Sequence, residues 1–360
     1  MPCRSFVPDY AARLLESPGG GPPFAEHRQG VVLFADIVGF TPLAAALANG
    51  SRHGAEELST LLNRFFARMV ELVTGHGGTV ASFAGDAITA LFPLAGPEPA
   101  RAAATRRAVG CALRMQAASQ EFRDVPTAAG TFTLAMRAGL GAGEVLLAVV
   151  GDPAIRLDHV LAGAALDRAV AAEQGAAQGQ VRLDPDLRLD PPPAAADPAP
   201  EGPGGRSEVP HERLAPFLHP AIAERVHQGQ VGLVDERRTV TVAFVDFSGP
   251  AGPAQLERLQ RFVAAAVRAI DRWGGHLLQV DLGDKGSLLV VAFGAPVRHE
   301  DQEERALRCC AELLALPDGA VRAGVTTGRA WCGEVGSAAR REYAVVGDTV
   351  NLAARLMEAA

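Results

Sequence analysis

The sequence predicts an α+β protein made of two tandem copies of one domain, each a sheet covered by helices. Three observations predict it. An apolar strand ending in an aspartate and a glycine turn occurs twice, as Val31-Val32-Leu33-Phe34-Ala35-Asp36-Ile37-Val38-Gly39 and as Val240-Thr241-Val242-Ala243-Phe244-Val245-Asp246-Phe247-Ser248-Gly249. Further pairs follow each copy in the same order: Phe83-Ala84-Gly85-Asp86-Ala87 with Leu282-Gly283-Asp284-Lys285-Gly286, Arg137-Ala138-Gly139 with Arg322-Ala323-Gly324, and 163–171 with 347–355. Apolar residues three and four apart alternate with short β-branched runs bounded by glycine, which interleaves helices and strands.

Residues 1–27 form a lead segment, with a short helix at 10–15 and a Gly/Pro break at 19–23. The first domain is assigned to 28–185. Its order is a strand from 31, a helix at 56–75, strands at 79–82 and 87–91, a helix at 100–122, strands at 133–140 and 144–150, a helix at 164–173 and a strand at 180–183. Residues 186–236 are a linker, because Pro191-Pro192-Pro193 and Gly202-Pro203-Gly204-Gly205 hold neither a helix nor a central strand; a short helix at 220–228 ends it. The second domain, 237–360, repeats the order: strand 238–245, helix 254–272, strand pair 276–293, helix 301–315, strands 320–327 and 329–335, and a helix from 348. It ends one strand earlier than the first copy and therefore reads as truncated.

Composition narrows the function. The chain is 48% hydrophobic and 21% charged, which suits two globular cores. A net charge of -7 excludes a global field drawing in nucleic acid or an anionic membrane. Cys3, Cys111, Cys309, Cys310 and Cys332 are odd in number and lack CxxC spacing, so they read as buried thiols in a reducing compartment. No apolar run approaches the roughly 18 residues of a membrane span, and no signal-peptide layout is present. The expectation is a cytoplasmic protein with neither membrane nor nucleic-acid partners.

The candidate chemistry rests on few residues. Asp36 ends a strand and Asp86 sits in a tight turn; if their strands are neighbours, two carboxylates converge and repel unless a cation lies between them. Mg²⁺ takes one or two carboxylates plus substrate phosphates, and two such ions can hold the attacking and leaving oxygens of a phosphoryl displacement. Gly39-Phe40-Thr41 precedes Pro42 at a helix start, where N–H groups can cradle phosphate. Asn351 and Arg355 lie four apart on one helix face and suit a ribose and a phosphate. The first copy has Asp167 and Ala171 instead, so one site assembled across the two copies is expected. Each residue alone also has a plain reading, as a turn aspartate or a surface arginine. His27, His159 and His276 lack metal-ligand spacing.

Together, Phe34-Ala35-Asp36-Ile37-Val38-Gly39-Phe40-Thr41, Phe83-Ala84-Gly85-Asp86 and Val346-Gly347-Asp348-Thr349-Val350-Asn351-Leu352-Ala353-Ala354-Arg355 resemble the signatures of class III nucleotidyl cyclases. The tandem order most resembles soluble adenylyl cyclases and their bacterial relatives. The resemblance implies two ferredoxin-like, palm-type βαββαβ domains forming an intramolecular pseudo-dimer. It implies that Asp36, Asp86 and the Ile37 carbonyl hold two Mg²⁺ ions, or Mn²⁺, and that Arg137 meets the triphosphate. Asn351 would orient the ribose, Arg355 would stabilise the α-phosphate, and ATP would give cyclic AMP and pyrophosphate. Gln279 and Ala344 fall at the purine-reading positions; Gln both donates and accepts, and Ala344 offers no hydrogen bond. The sister site would pair Asp246 and Asp284 with Asp167 and Ala171 and is expected to be non-catalytic. Ser82 and Val170 replace the two cations of bicarbonate-responsive relatives, so no bicarbonate activation is expected. A guanylyl cyclase and an inactive nucleotide-binding module are the alternatives. A C-terminal regulatory region is a further partner expected from relatives.

Overall fold

The computed structural model describes residues 2–16, 21–50, 54–187, 209–229, 236–247, 255–283, 286–317 and 319–360. Helix α1 (Asp9–Glu16) leads into the first domain: β1 (Phe24–Val38), α2 (Phe40–Gly50), α3 (Gly54–Gly75), β2 (Thr79–Ala84), β3 (Ala87–Pro93), α4 (Glu98–Ala118), β4 (Val125–Thr127), β5 (Gly130–Phe132), β6 (Ala135–Asp152), β7 (Arg156–Ala162), α5 (Ala164–Gln174) and β8 (Val181–Leu183). Short helices α6 (His211–Leu214) and α7 (Pro220–His227) follow. The second domain runs β9 (Glu236–Phe247), α8 (Gln255–Arg272), β10 (His276–Gly283), β11 (Gly286–Phe293), α9 (Gln302–Leu314), β12 (Ala320–Gly336), β13 (Arg341–Val346) and α10 (Asp348–Ala359). Of the predicted linker 186–236, residues 188–208 and 230–235 lie outside the described residues, as do Ser248, Gly249, Asp284 and Lys285. Among the described residues no helix is long and apolar enough to cross a membrane.

The duplication is plain in the sheets. The first has strand order β2-β3-β1-β6-β7, with β8 added parallel to β6; the second has β10-β11-β9-β12-β13. Period-two alternation divides the faces of β1. Val31, Leu33, Ala35 and Ile37 pack with Phe65, Phe66 and Met69 of α3 and Met115 of α4. Each such fully buried side chain contributes roughly 1.5–3 kcal/mol. Val32 and Phe34 join the cluster on the opposite face, with α1, α5 and α7. Asp36 alternates with Phe34 and so lies on the face turned toward the second domain. All five cysteines are free and buried.

Two elements differ from the sequence reading. The strand pairs expected at 133–140 and 144–150, and at 320–327 and 329–335, are single long strands, β6 and β12. Glycines along these strands allow close helix packing. A Cβ on Gly139 or Gly141 would meet the α5 backbone at 2.1 and 2.5 Å, and one on Gly324 would meet the α10 backbone at 2.2 Å. The strands that follow, β7 and β13, escaped the reading because they are rich in charge: Arg156-Leu157-Asp158-His159 and, just after Arg340, Arg341-Glu342-Tyr343.

Those charges build the domain interface. The Asp158 carboxylate on β7 accepts the Val280 N–H of β10 at 2.7 Å, and the Glu342 carboxylate on β13 accepts the Phe83 N–H of β2 at 3.2 Å. Arg340, 5% exposed, donates to the Val80, Ala81 and Phe6 carbonyls and pairs with Glu342. Arg156 donates to the Phe217 carbonyl. A second pair of contacts repeats the symmetry. The Gln260 amide of α8 bonds both main-chain groups of Gly151, and Asn63 of α3 accepts the Gly336 N–H. Burial pushes the Asp158 carboxyl up to about 6, opposed by Arg156 and the two N–H donors.

Replacing Arg340 by Ala leaves Glu342 without its cation and two strand carbonyls without a donor. A loss of about 3–5 kcal/mol is expected, read as a lowered midpoint in chemical denaturation, whereas Arg308→Ala on the exposed face of α9 should cost less than about 1 kcal/mol.

Candidate functional site

Strand pairing brings the two aspartates together. Asp36 pairs with Ala87 across β1 and β3, and the Ile37 N–H donates to the Asp86 carbonyl at 3.1 Å. Gly85, at φ +64°, makes the tight turn that delivers Asp86. Burial first, and then the negative charge of Asp36, push the Asp86 carboxyl up to about 6; its own N–H and Arg137 pull the other way. Arg137 lies opposite Asp36 in the β1–β6 ladder and donates to it at 3.0 Å. Its Nε also lies 2.5 Å from Glu173 of α5. The reading of Arg137 as a triphosphate contact is thus supplemented by an ion pair with the first aspartate. Glu173 was not singled out from the sequence; its distance along the chain from Arg137 leaves no local signal.

The phosphate-side residues form a turn directly beyond Asp36. Gly39 adopts φ +93°, and a Cβ there would sit 2.5 Å from the Thr133 carbonyl, so only glycine fits. Phe40 is buried and opens α2, whose first turn contains Thr41. The Ile37 side chain is buried in the core, which leaves only its main chain for a metal.

The second domain closes the site. A small cleft is lined by Phe40, Gly85 and Asp86 from the first domain and by Val346, Asp348 and Asn351 from the second. Asn351 therefore shares this cleft with Asp86. Arg355 is exposed one turn further along α10 and lines neither this cleft nor the larger cavity. That cavity, of 420 Å³, runs between the sheets from Asp36, Asp86 and Arg137 past Ser82 and Val170 to Gln279 and Tyr343. Ala344 does not line it; it packs against the first domain's core with Trp331 and Val346. Of the two expected purine-reading positions, only Gln279 faces the cavity, with Tyr343 beside it.

The sister site departs from its sequence alignment. Asp246 pairs with Leu288 as Asp36 pairs with Ala87, and Arg322 donates to Asp246 at 2.8 Å as Arg137 does to Asp36. Ala87 faces Ala84 across the β2–β3 hairpin, whereas Leu288 faces Asp281. The match of 83–87 to 282–286 is therefore out by two residues on each strand. The β10–β11 ladder runs two pairs further, to Gly283 opposite Gly286, so among the described residues it places no second carboxylate in the register of Asp86. Asp284 itself lies outside the described residues. Asp167 and Ala171 are exposed on α5.

The donors suit a hard divalent cation. Two carboxylates and a main-chain carbonyl are all oxygen, and the Asp36 charge helps raise the proton affinity of Asp86, which a cation would relieve. Among the described residues no cluster of three acidic, His or Cys side chains could hold a metal alone. Phosphate oxygens would complete the shell, which is how Mg²⁺ is commonly held.

Comparisons with known proteins agree with this geometry. The family described as adenylate and guanylate cyclase catalytic domain matches residues 24–187. Human adenylate cyclase type 10 is 26% identical over 401 residues, covering 93% of this chain and 24% of the relative. This chain thus spans about a quarter of the length of that relative. An uncharacterized protein of Mycobacterium tuberculosis is 39% identical over 153 residues, covering 39% of this chain and 27% of its own. Among solved structures, a class III adenylyl cyclase-like ATP-binding protein from Pseudomonas aeruginosa superposes with TM-score 0.62 at 14% identity, covering 93% of this chain and 82% of that one. The last likeness establishes the fold across both domains.

Metal binding at this pair requires Asp86 to lose the proton it holds below about 6. Mn²⁺ affinity is therefore expected to be level above that pH and to fall by about tenfold per pH unit below it, measured by titrating Mn²⁺ at a series of pH values.

Proposed function

We propose that this chain, a member of the class III nucleotidyl cyclases, converts ATP to 3′,5′-cyclic AMP and pyrophosphate at one site shared by its two domains. The observation that carries the reading is the cleft in which Phe40, Gly85 and Asp86 of one domain meet Asn351 of the other. Asp36, Asp86 and the Ile37 carbonyl would hold the divalent ions, Mg²⁺ or Mn²⁺. When bound, such ions neutralise phosphate charge and acidify the attacking hydroxyl.

The chain's own residues supply position and field. The N–H groups of Gly39, Phe40 and Thr41 at the start of α2 face the triphosphate. Arg137 adds a fixed positive charge on the same side. Asn351 orients the ribose so that its 3′-oxygen lies in line with the α-phosphorus, and alignment of this kind removes much of the barrier. Arg355 stands one turn beyond Asn351, outside the cleft, and turns its long side chain in over bound nucleotide to neutralise charge that grows on the α-phosphate as the 3′ O–P bond forms and the bond to the β-phosphate breaks. Pyrophosphate leaves with the bonding electrons, and the hydroxyl proton passes to solvent. The adenine edge is read at Gln279, which lines the cavity beside Tyr343. ATP is preferred to GTP because the relative matched across both domains is an adenylate cyclase. The chain acts as an intramolecular pseudo-dimer in the cytoplasm.

The placement of Ala344 away from the cavity favours a second reading, an ATP-binding module without turnover. Assays of ATP and GTP with Mg²⁺ and with Mn²⁺, following cyclic product and pyrophosphate, separate the two. Asp36→Ala, Asp86→Ala and Arg355→Ala should each lower kcat by about 10²-fold or more, while Asp246→Ala and Asp284→Ala should keep most of it. Equal losses in both sets would contradict a single site. Bicarbonate should leave the rate unchanged, because Ser82 and Val170 line the cavity where a cation would be needed; a several-fold rise on titration would contradict this.

A further inference from the structure

The two copies hold the same cross-strand ion pair, and they differ in what stands behind it. In the second domain Arg322 donates to Asp246 and to the Glu358 main-chain carbonyl. In the first, Arg137 donates to Asp36 and also pairs with the Glu173 carboxylate, whose side chain is 4% exposed. The helices match residue for residue. The missing Cβ of Gly139 would meet Ala169 and Glu173, and that of Gly324 would meet Ala353 and Met357. The acid at this position thus occurs only in the copy that carries the Asp36 and Asp86 pair; its counterpart is Met357.

A carboxylate so deeply buried keeps its charge only beside a cation. Arg137 is that cation, and Glu173 therefore holds one side of the guanidinium whatever happens at Asp36. With Glu173 removed, Arg137 would have only the metal pair, Asp36 in contact and Asp86 nearby, to balance its charge, and would compete directly with any metal there.

We infer that Glu173 is a positioning residue that holds Arg137 beside Asp36 and so lets a divalent cation take Asp36 while the guanidinium stays in the site, facing the phosphates. The inference rests on the reading of Asp36 and Asp86 as the metal pair. Glu173 touches neither metal nor substrate and acts through Arg137.

The test is Mn²⁺ binding to the full chain, followed by the electron paramagnetic resonance signal of free Mn²⁺, with thermal unfolding of each variant alongside. Asp36→Asn serves as the control for the metal pair. Glu173→Gln should raise the Mn²⁺ Kd by about tenfold or more, the scale seen when a partner behind a metal ligand is removed. Glu173→Met, which brings in the residue of the second copy, should do the same in a well-packed protein. Glu173→Asp should recover part of the affinity. The double variant Arg137→Gln with Glu173→Gln removes the competing cation and the buried charge together, and should bind Mn²⁺ at least as tightly as wild type. In turnover, Glu173→Gln should raise the apparent KM for metal–nucleotide more than it lowers kcat. Wild-type Mn²⁺ affinity in both Glu173→Gln and Glu173→Met would overturn the inference, as would a double variant as weak as Glu173→Gln. If Asp36→Asn binds Mn²⁺ as wild type does, the metal-pair reading fails and takes this inference with it. Loss in Asp36→Asn with no loss in either Glu173 variant sinks the inference alone.

Discussion

Each sheet grips the other through one carboxylate laid against a strand edge. Asp158 of β7 accepts an N–H of β10, and Glu342 of β13 accepts an N–H of β2. Both β2 and β10 end their sheets, so these N–H groups would otherwise lack a partner. The rest of the site depends on this exchange. Phe83, which donates to Glu342, stands just before the Gly85-Asp86 turn. Glu342 stands on the strand that runs directly into α10, and α10 carries Asn351 and Arg355. One hydrogen bond between domains therefore sets the distance between the metal-side turn and the ribose-side helix. Arg340, bonded to both strands' main chains, holds that register.

The scaffold is symmetric and the chemistry is not. The Asp158 grip sets β7 and α5 against β10 just as the Glu342 grip sets β13 and α10 against β2. Around the first grip, however, the β10–β11 ladder is extended, so among the described residues no carboxylate stands in the register of Asp86, and α5 offers Asp167 and Ala171. The second site was expected to be non-catalytic because α5 carries Asp167 and Ala171 in place of an Asn and an Arg. The ladder points to a different deficit, in the metal pair itself. Duplication has kept the packing and let the polar groups on turns and helix starts diverge, the positions where functional residues are usually carried.

Much of this was legible in the sequence because β1 and β9 each carry an apolar run closed by an aspartate, Asp36 and Asp246. The Gly85-Asp86 turn and the Asn351 and Arg355 helix were legible for the same reason: a tight turn and a helix face each have a local pattern. What escaped was not local. The strands β7 and β13 carry buried charge, which period-two hydrophobicity does not flag, and Asp158 and Glu342 each find a partner in the other domain. The glycines of β6 and β12 resembled turn residues but serve helix approach, a distinction that needs the helix in place. Glu173 gains meaning only beside Arg137. Ala344 was placed by sequence position on the purine, while the strand's alternation turns it to the neighbouring core and leaves Tyr343 toward the cavity.

The central claim is that one chain assembles one complete site from its own two domains. Mixing two inactive variants tests it most directly. Cyclic nucleotide and pyrophosphate would be followed from ATP with Mn²⁺ for wild type, for Asp36→Ala, for Arg355→Ala and for an equimolar mixture of the two variants. The account predicts turnover by wild type, little by either variant, and no recovery in the mixture, because every chain closes its own site. Recovery of a sizeable part of wild-type turnover in the mixture would show that sites form between chains. A wild-type protein that binds ATP without turning it over would contradict the account at its root.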